Sequence, residues 1–144
     1  MIETISSILR NKGRGIYSVA PGATVHDAIA MMAENGVAAV LVLSEGKLAG
    51  IVSAKDYASK VVLRKRSAKN TLVEQIMTSP VVTVTPEVTV FECMAIMTQR
   101  HFRHLPVFDQ GELVGVVSLG DLASAVIADQ AFKLDQLMTY VGQK

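Results

Sequence analysis

Gly50-Ile51-Val52-Ser53-Ala54-Lys55-Asp56 returns further along the chain as Gly115-Val116-Val117-Ser118-Leu119-Gly120-Asp121. Working outward from this pair, Pro21–Tyr57 lies over Pro86–Leu122 at a shift of 65 residues with no gap. Pro21, Thr24, Val25, Ala30 and Met32 meet Pro86, Thr89, Val90, Ala95 and Met97. Val42, Gly46, Leu48 and Gly50 meet Val107, Gly111, Leu113 and Gly115. Turn, cap and hydrophobic positions align together, which is the mark of an internal repeat.

Each copy gives the same local reading. A short apolar strand, Ile16–Val19 or Val81–Val84, is ended by Pro21 or Pro86. Thr24-x-x-Asp27 and Thr89-x-x-Glu92 then predict a helix N-cap with an acid three residues on. The helix places Val25, Ile29 and Met32 on one face, and Val90, Met94 and Met97 in the second copy, at amphipathic spacing. Gly36 ends the first helix. Two strands follow, Ala39–Leu43 with Leu48–Val52 and Leu105–Phe108 with Leu113–Val117. Their short connections carry Gly46 and Gly111, as hairpins do. Ser53 and Ser118 open another helix. The unit is β-α-β-β-α, so the fold class is α+β. Its strands are nearly continuously apolar and call for burial on both faces. One unit cannot supply that cover, so the two repeats are expected to pack with pseudo-two-fold symmetry.

The expected boundaries are an N-terminal helix and lead-in over 1–15, the first repeat over 16–66, a linker over 67–80, the second repeat over 81–127 and a C-terminal helical extension over 128–144. Ile2, Ile5, Ile8 and Leu9 form an apolar stripe for the first helix. Leu119–Tyr140 reads as a long helix carrying Leu122, Val126, Phe132, Leu134, Leu137 and Met138, to be covered by the module or by a dimer partner.

Composition narrows the function classes. Half of the 144 residues are hydrophobic and the formal net charge is +1, too apolar for disorder and too neutral for a dedicated nucleic-acid binder. The basic cluster Arg64-Lys65-Arg66 with Lys69 reads as a solvated linker. No segment approaches the ~18 unbroken apolar residues of a membrane span, and no secretory leader is read at the N-terminus. Cys93 is the single cysteine, which suits a reducing cytoplasm. His26, His101, His104 and Cys93 fall into no triad or zinc spacing, and there is no phosphate-binding glycine loop, so no enzyme is expected.

The duplicated Gly, two apolar residues, Ser, two variable residues and Asp resemble the end of a cystathionine-β-synthase-type (CBS) domain. Arg103-His104-Leu105-Pro106-Val107 is similar to the stretch that opens the second strand in that family. The resemblance covers residues 16 to 125 and points to a tandem CBS pair of the small stand-alone bacterial type. It implies a non-enzymatic module with clefts between its halves that senses AMP, ADP, ATP or an NAD-like ligand, forms a homodimer and regulates a separate, unidentified protein. No cofactor is required, and no metal, nucleic acid or membrane is involved.

Such a ligand needs an apolar slot for the base, acceptors for the ribose diol and donors for phosphate. Asp56 and Asp121 can accept the two hydroxyl hydrogens. Ser53 and Ser118 stand where helices begin and free N–H groups favour anions. Arg103 can bind phosphate in a charge-assisted contact, with His104 assisting more strongly when protonated. Carried over from the family residue by residue, the preferred nucleotide cleft combines Ser53, Lys55 and Asp56 with Val82, Arg103 and His104. The second combines Ser118 and Asp121 with Tyr17, Val19, Ala38 and Ala39. It lacks the basic pair, so phosphate there needs Lys12, Arg14 or a neighbouring subunit. The competing reading is structural. Ser-x-x-Asp is also a helix cap worth about 1 kcal/mol, Arg103 and His104 also suit a surface salt bridge, and the whole chain also suits a dimerisation module without a nucleotide.

Overall fold

The computed structural model describes residues 3–13 and 15–142. Ile2 of the first apolar stripe and Arg14 of the candidate phosphate set lie outside the described residues. The chain divides into two compact units, one formed by Gly15–Val82 and one by the described residues of Met1–Arg14 and Thr83–Lys144.

Helix α1 (Ile5–Lys12) belongs to the other unit; in the Gly15–Val82 unit, β1 (Ser18–Val19) leads into α2 (Val25–Asn35) and then into β2 (Ala39–Ser44) and β3 (Lys47–Ser53). Thr24 Oγ1 accepts the Asp27 N–H at 3.1 Å, which caps α2. Gly36 ends that helix in the left-handed region at φ 63°, a conformation that costs a side-chain-bearing residue about 1–2 kcal/mol. Strand β1 is parallel to β2, and β2 is antiparallel to β3, in the order β1-β2-β3. The right-handed backbone twist of the hairpin is matched by a two-residue turn in which Glu45 and Gly46 both have positive φ. Val40, Leu41 and Val42 are buried in succession, so both faces of β2 are covered. After β3 comes α3 (Ala54–Tyr57), which runs into a π turn at Ala58–Val62.

Residues 67–80, expected as a linker, contribute Thr71, Val73 and Ile76 to this unit's core, although Ser67, Lys69, Asn70, Glu74, Gln75, Ser79 and Pro80 are exposed. Val73 is 0% and Ile76 1% exposed, within the same apolar cluster as Val25, Val42 and Val52. Thr78 exchanges both backbone hydrogen bonds with Ile51, at 2.9 and 3.1 Å. Met77 lies against Gly50, where an added Cβ would stand 2.5 Å from Met77 Sδ and 2.8 Å from its Cγ. The glycine that opens the duplicated stretch is thus required by close approach of a neighbouring side chain.

The other unit repeats the plan with α4 (Val90–Arg100), β4 (His104–Asp109), β5 (Glu112–Ser118) and α5 (Leu119–Gly142). Thr89 caps α4 as Thr24 caps α2. His101 takes the left-handed position of Gly36 at φ 59°. Cys93 stands where the first repeat has Ala28; both are fully buried, and burial with the charge of Glu92 pushes the thiol up to about 11. It is a small packed residue here.

The strand expected at Val81–Val84 is reduced to one parallel bridge, Val84 with Val107. Register explains the loss. In the first repeat the Leu41 N–H donates to Tyr17 O at 2.9 Å. The equivalent of Leu41 is Pro106, which has no N–H to offer Val82.

Helix α1 (Ile5–Lys12) completes this second unit. The Ile5 N–H donates to Val88 O at 2.9 Å, Ser6 to Pro86 O at 2.9 Å, and Val90 to Glu3 O at 3.0 Å. Ile5 and Ile8 are buried, and Leu9 covers Gly115 as Met77 covers Gly50. Glu3 and helix α1 therefore pack with the second repeat.

Candidate functional site

The site residues read from the sequence divide between the units. Ser53, Lys55, Asp56, Val82, Tyr17, Val19, Ala38 and Ala39 lie in the Gly15–Val82 unit; Arg103, His104, Ser118 and Asp121 lie in the other. Each unit builds the same corner. Antiparallel register sets Ala39 opposite Ser53, and His104 opposite Ser118. The Ala38 carbonyl accepts the Ala54 N–H at 2.9 Å, and the Arg103 carbonyl accepts that of Leu119 at 2.8 Å. Where one corner shows Ala38 and Ala39, the other therefore shows an exposed Arg103 and a half-buried His104 on the same backbone.

At the first corner, Ser53 and Asp56 form a reciprocal capping box. Asp56 Oδ2 accepts the Ser53 N–H at 2.9 Å and the Ser53 hydroxyl at 3.1 Å, while Ser53 Oγ accepts the Asp56 N–H at 3.2 Å. Lys60 lies 3.0 Å from Asp56 Oδ1 and also donates to Ile76 O at 2.9 Å. That lysine ties the buried acid to residues 67–80. It was not among the residues read from the sequence, although Asp56 and Lys60 show the i, i+4 spacing of a helix pair. Lys55, which was, is exposed and has no ion-pair partner among the described residues. Tyr17 and Val19 pack half-buried against the apolar cluster, and Val82 is half-buried.

At the second corner, Asp121 Oδ2 accepts the Ser118 N–H at 2.8 Å, and Ser118 Oγ accepts the Asp121 N–H at 3.1 Å. Position 125, the counterpart of Lys60, is alanine. The cation comes instead from α1. Lys12 Nζ donates to Asp121 Oδ2 at 2.6 Å and to Val116 O at 2.8 Å. Asp121 Oδ1 accepts no hydrogen bond among the described residues. Burial opposes ionisation of Asp121, but the hydrogen bonds from Lys12 and Ser118 and the lysine's charge outweigh it, so the carboxyl lies below its ordinary range. The acid stands at the rim of an open groove of about 990 Å³ between α1 and α5, whose lining includes Arg10, Lys12, Phe132 and Lys133.

His104 is lowered from 6.5 by burial first and then by the charge of Lys12; Asp121 opposes this, and Arg103 adds a smaller downward push. The folded ring therefore releases its proton at lower pH than the unfolded one. Below about pH 6.5 the unfolded chain holds the extra proton, so this contribution to stability is complete above 6.5 and is lost as pH falls through the folded value. Urea melts from pH 7.5 down to 5.5 should show that decline, and His104→Gln should flatten it. A wild-type curve no steeper than that of the variant would contradict this environment for the ring.

Arg103 has no ion-pair partner among the described residues, so the surface salt bridge considered for it finds no support. Among the described residues no group of three or more His, Cys, Asp and Glu could hold a metal ion, and no helix is long and apolar enough to cross a membrane.

Two capped strand ends carrying the same acid, built on duplicated β-α-β-β-α units, find their match in comparisons with known proteins. The CBS domain family matches residues 7–62 and again 73–128. The chain belongs to the CBS domain family. The mitochondrial CBS domain-containing protein CBSX3 of Arabidopsis thaliana is 36% identical, over 96% of this chain and 71% of its own length. A solved protein with CBS domains from Burkholderia ambifaria is 51% identical, with a TM-score of 0.85 over 88% of this chain and 96% of the other. A CBS-CP12 protein from bloom-forming cyanobacteria, solved as a hexamer, is 27% identical, with a TM-score of 0.77 over 85% of this chain and 71% of its own. CBS pairs are regulatory modules that generally bind adenosine ligands, and CBS-domain relatives include oligomeric assemblies.

Proposed function

We propose that this CBS pair is a non-enzymatic sensor of adenine nucleotides, AMP, ADP, ATP or an NAD-like ligand, that acts as a homodimer in the cytoplasm on a separate protein. The single observation that carries the reading is Arg103, an exposed guanidinium paired with no acid among the described residues. It neighbours a histidine that burial keeps largely neutral at pH 7. In this reading Arg103 takes phosphate and His104 supplies a ring N–H. Asp56, held by its capping box, accepts from the ribose diol. The capping and ligand roles of Asp56 are compatible through Oδ1, which keeps one lone-pair site beside Lys60 for a ribose hydroxyl, while Ser53 fills both sites of Oδ2. Asp121 offers the weaker second site, where Lys12 is already the counter-ion that phosphate would recruit.

Sensing requires more than binding, because a ligand shifts a conformational equilibrium only by its differential affinity for the two states. The first experiment is thermal unfolding in the presence of AMP, ADP, ATP and NAD. A ligand present at about 100 times its dissociation constant should stabilise the protein by roughly 2.7 kcal/mol. No response to any of the four at millimolar concentration would overturn the nucleotide reading. The alternative of a dimerisation module without a nucleotide would then be preferred, and the exposed apolar side chains of α5 favour it.

A further inference from the structure

Helix α5 outruns the unit it belongs to. Its first turns bury Leu122 completely and cover Leu119 and Val126 in part. From Ala131 to Gly142 every residue is exposed, yet the apolar stripe does not stop. Ile127, Leu134, Leu137, Met138 and Val141 continue it at spacings of three, four and seven residues, and are 58–67% exposed. An overhang of about a dozen residues is marginal as a helix in water without tertiary cover. The groove-lining residues Asp129, Phe132 and Gln136 fall on the opposite side of the helix from this stripe.

We infer that the stripe Ile127–Val141 is the seam of a two-stranded coiled coil with α5 of a second copy of this chain. Spacing, charge and area single out that occupant. Ile127, Leu134 and Val141 are each seven residues apart, with Gln130 and Leu137 at the intervening positions, which is the a/d pattern by which helices pair with their own kind. Gln130 is the lone polar seam residue and limits slippage of register. The segment carries Asp129, Lys133 and Asp135, with Lys133 paired to Asp129 at 3.1 Å. It therefore has no field of one sign to select an acidic partner or an anionic lipid surface. The five apolar residues, at roughly 100–150 Å² each, offer about 600 Å² per copy, against the ~800 Å² that each partner brings to a standard interface. Gln130 and Ala131 supply much of the difference. The inference rests on the homodimer part of the reading above and needs no nucleotide.

Light scattering without nucleotide, at roughly 10–100 μM, should give twice the 15.4 kDa of one chain. Leu134→Asp with Leu137→Asp should halve that mass with the circular-dichroism spectrum largely retained, and Gln136→Glu on the opposite side should leave the dimer intact. Hydrogen exchange on the unaltered chain keeps the test independent of how the variants fold: amides over residues 131–141 should be protected at the highest concentration. A double-Asp variant that remains dimeric, or an unprotected segment at that concentration, overturns the seam while leaving a homodimer through another surface possible. A wild-type protein that runs as a single chain throughout overturns both, and neither result touches the nucleotide reading.

Discussion

Ile76→Ala should cost about 3 kcal/mol and lower the melting temperature by roughly 10 °C. Ile76 is 1% exposed and packs in the cluster that holds Val25, Val42, Val52 and Val73. Truncation removes three buried carbons and leaves a cavity whose walls belong to α2, β2 and β3, elements held by their own backbone ladders and slow to collapse inward. The Ile76 carbonyl is untouched, so Lys60 keeps its 2.9 Å hydrogen bond there and its pairing with Asp56. The loss is therefore one of packing. Leu63→Ala provides the control: that side chain is 77% exposed, and its removal should change stability by no more than about 0.5 kcal/mol. Chemical denaturation of the two variants decides the matter. If Ile76→Ala cost less than about 1 kcal/mol, residues 67–80 would be a tether after all.

That prediction marks where the sequence ceases to be readable. Strands β2 to β5, their turns, the four capped helix starts at Thr24, Ser53, Thr89 and Ser118, and the length of α5 all follow from local patterns. Each rests on residues within a few positions of one another: a cap with its acid, or a glycine where φ must be positive. The tandem repeat follows from duplication of those patterns, and the CBS family from the resemblance carried by Gly50–Asp56, Gly115–Asp121 and Arg103–Val107. Residues 67–80 gave no such signal, because their two apolar pairs, Leu72-Val73 and Ile76-Met77, are too short a pattern to name a partner, and only the long-range approach of Met77 to Gly50 shows what they cover. The same holds for α1. Its amphipathic stripe was legible, but nothing local tells that Val88 and Pro86 accept its hydrogen bonds. The shortened first strand of the second repeat was recoverable in principle. Pro106 aligns with Leu41, and a proline at a ladder donor position cancels a bond. Around the candidate site, the serine–aspartate boxes were legible as caps. The different origins of their counter-ions, Lys60 from the next helical turn and Lys12 from α1, were only half so.

Arg103→Ala should weaken AMP, ADP and ATP by about 10- to 100-fold while leaving adenosine itself unaffected. A charge-assisted hydrogen bond from a guanidinium to phosphate contributes about 1.5–3 kcal/mol, and adenosine has no phosphate to lose it. Stability in the absence of ligand should change by less than about 0.5 kcal/mol, since the side chain is exposed and no ion pair among the described residues is broken. This separates a ligand contact from a structural one, which the aspartates alone cannot do. Asp56→Ala would also remove a cap worth about 0.5–2 kcal/mol and leave Lys60 without its acid, so Asp56→Asn is the cleaner variant. It should weaken adenosine and AMP alike, because it acts on the ribose. Asp121→Asn should have the smaller effect, for two reasons. The second cleft carried over from the family combines Asp121 with Ala38 and Ala39 in place of a basic pair, and Lys12 already occupies Asp121 Oδ2 at 2.6 Å. Lysine donates as a point charge where arginine offers a planar fork matched to phosphate, so Arg103→Lys should recover only part of the AMP affinity. Isothermal titration of the four variants with adenosine and AMP makes the comparison. An Arg103→Ala protein that binds AMP as tightly as the wild type, or an Asp121→Asn loss equal to that of Asp56→Asn, would mean that phosphate is held elsewhere and that the assignment of the two acids must be exchanged.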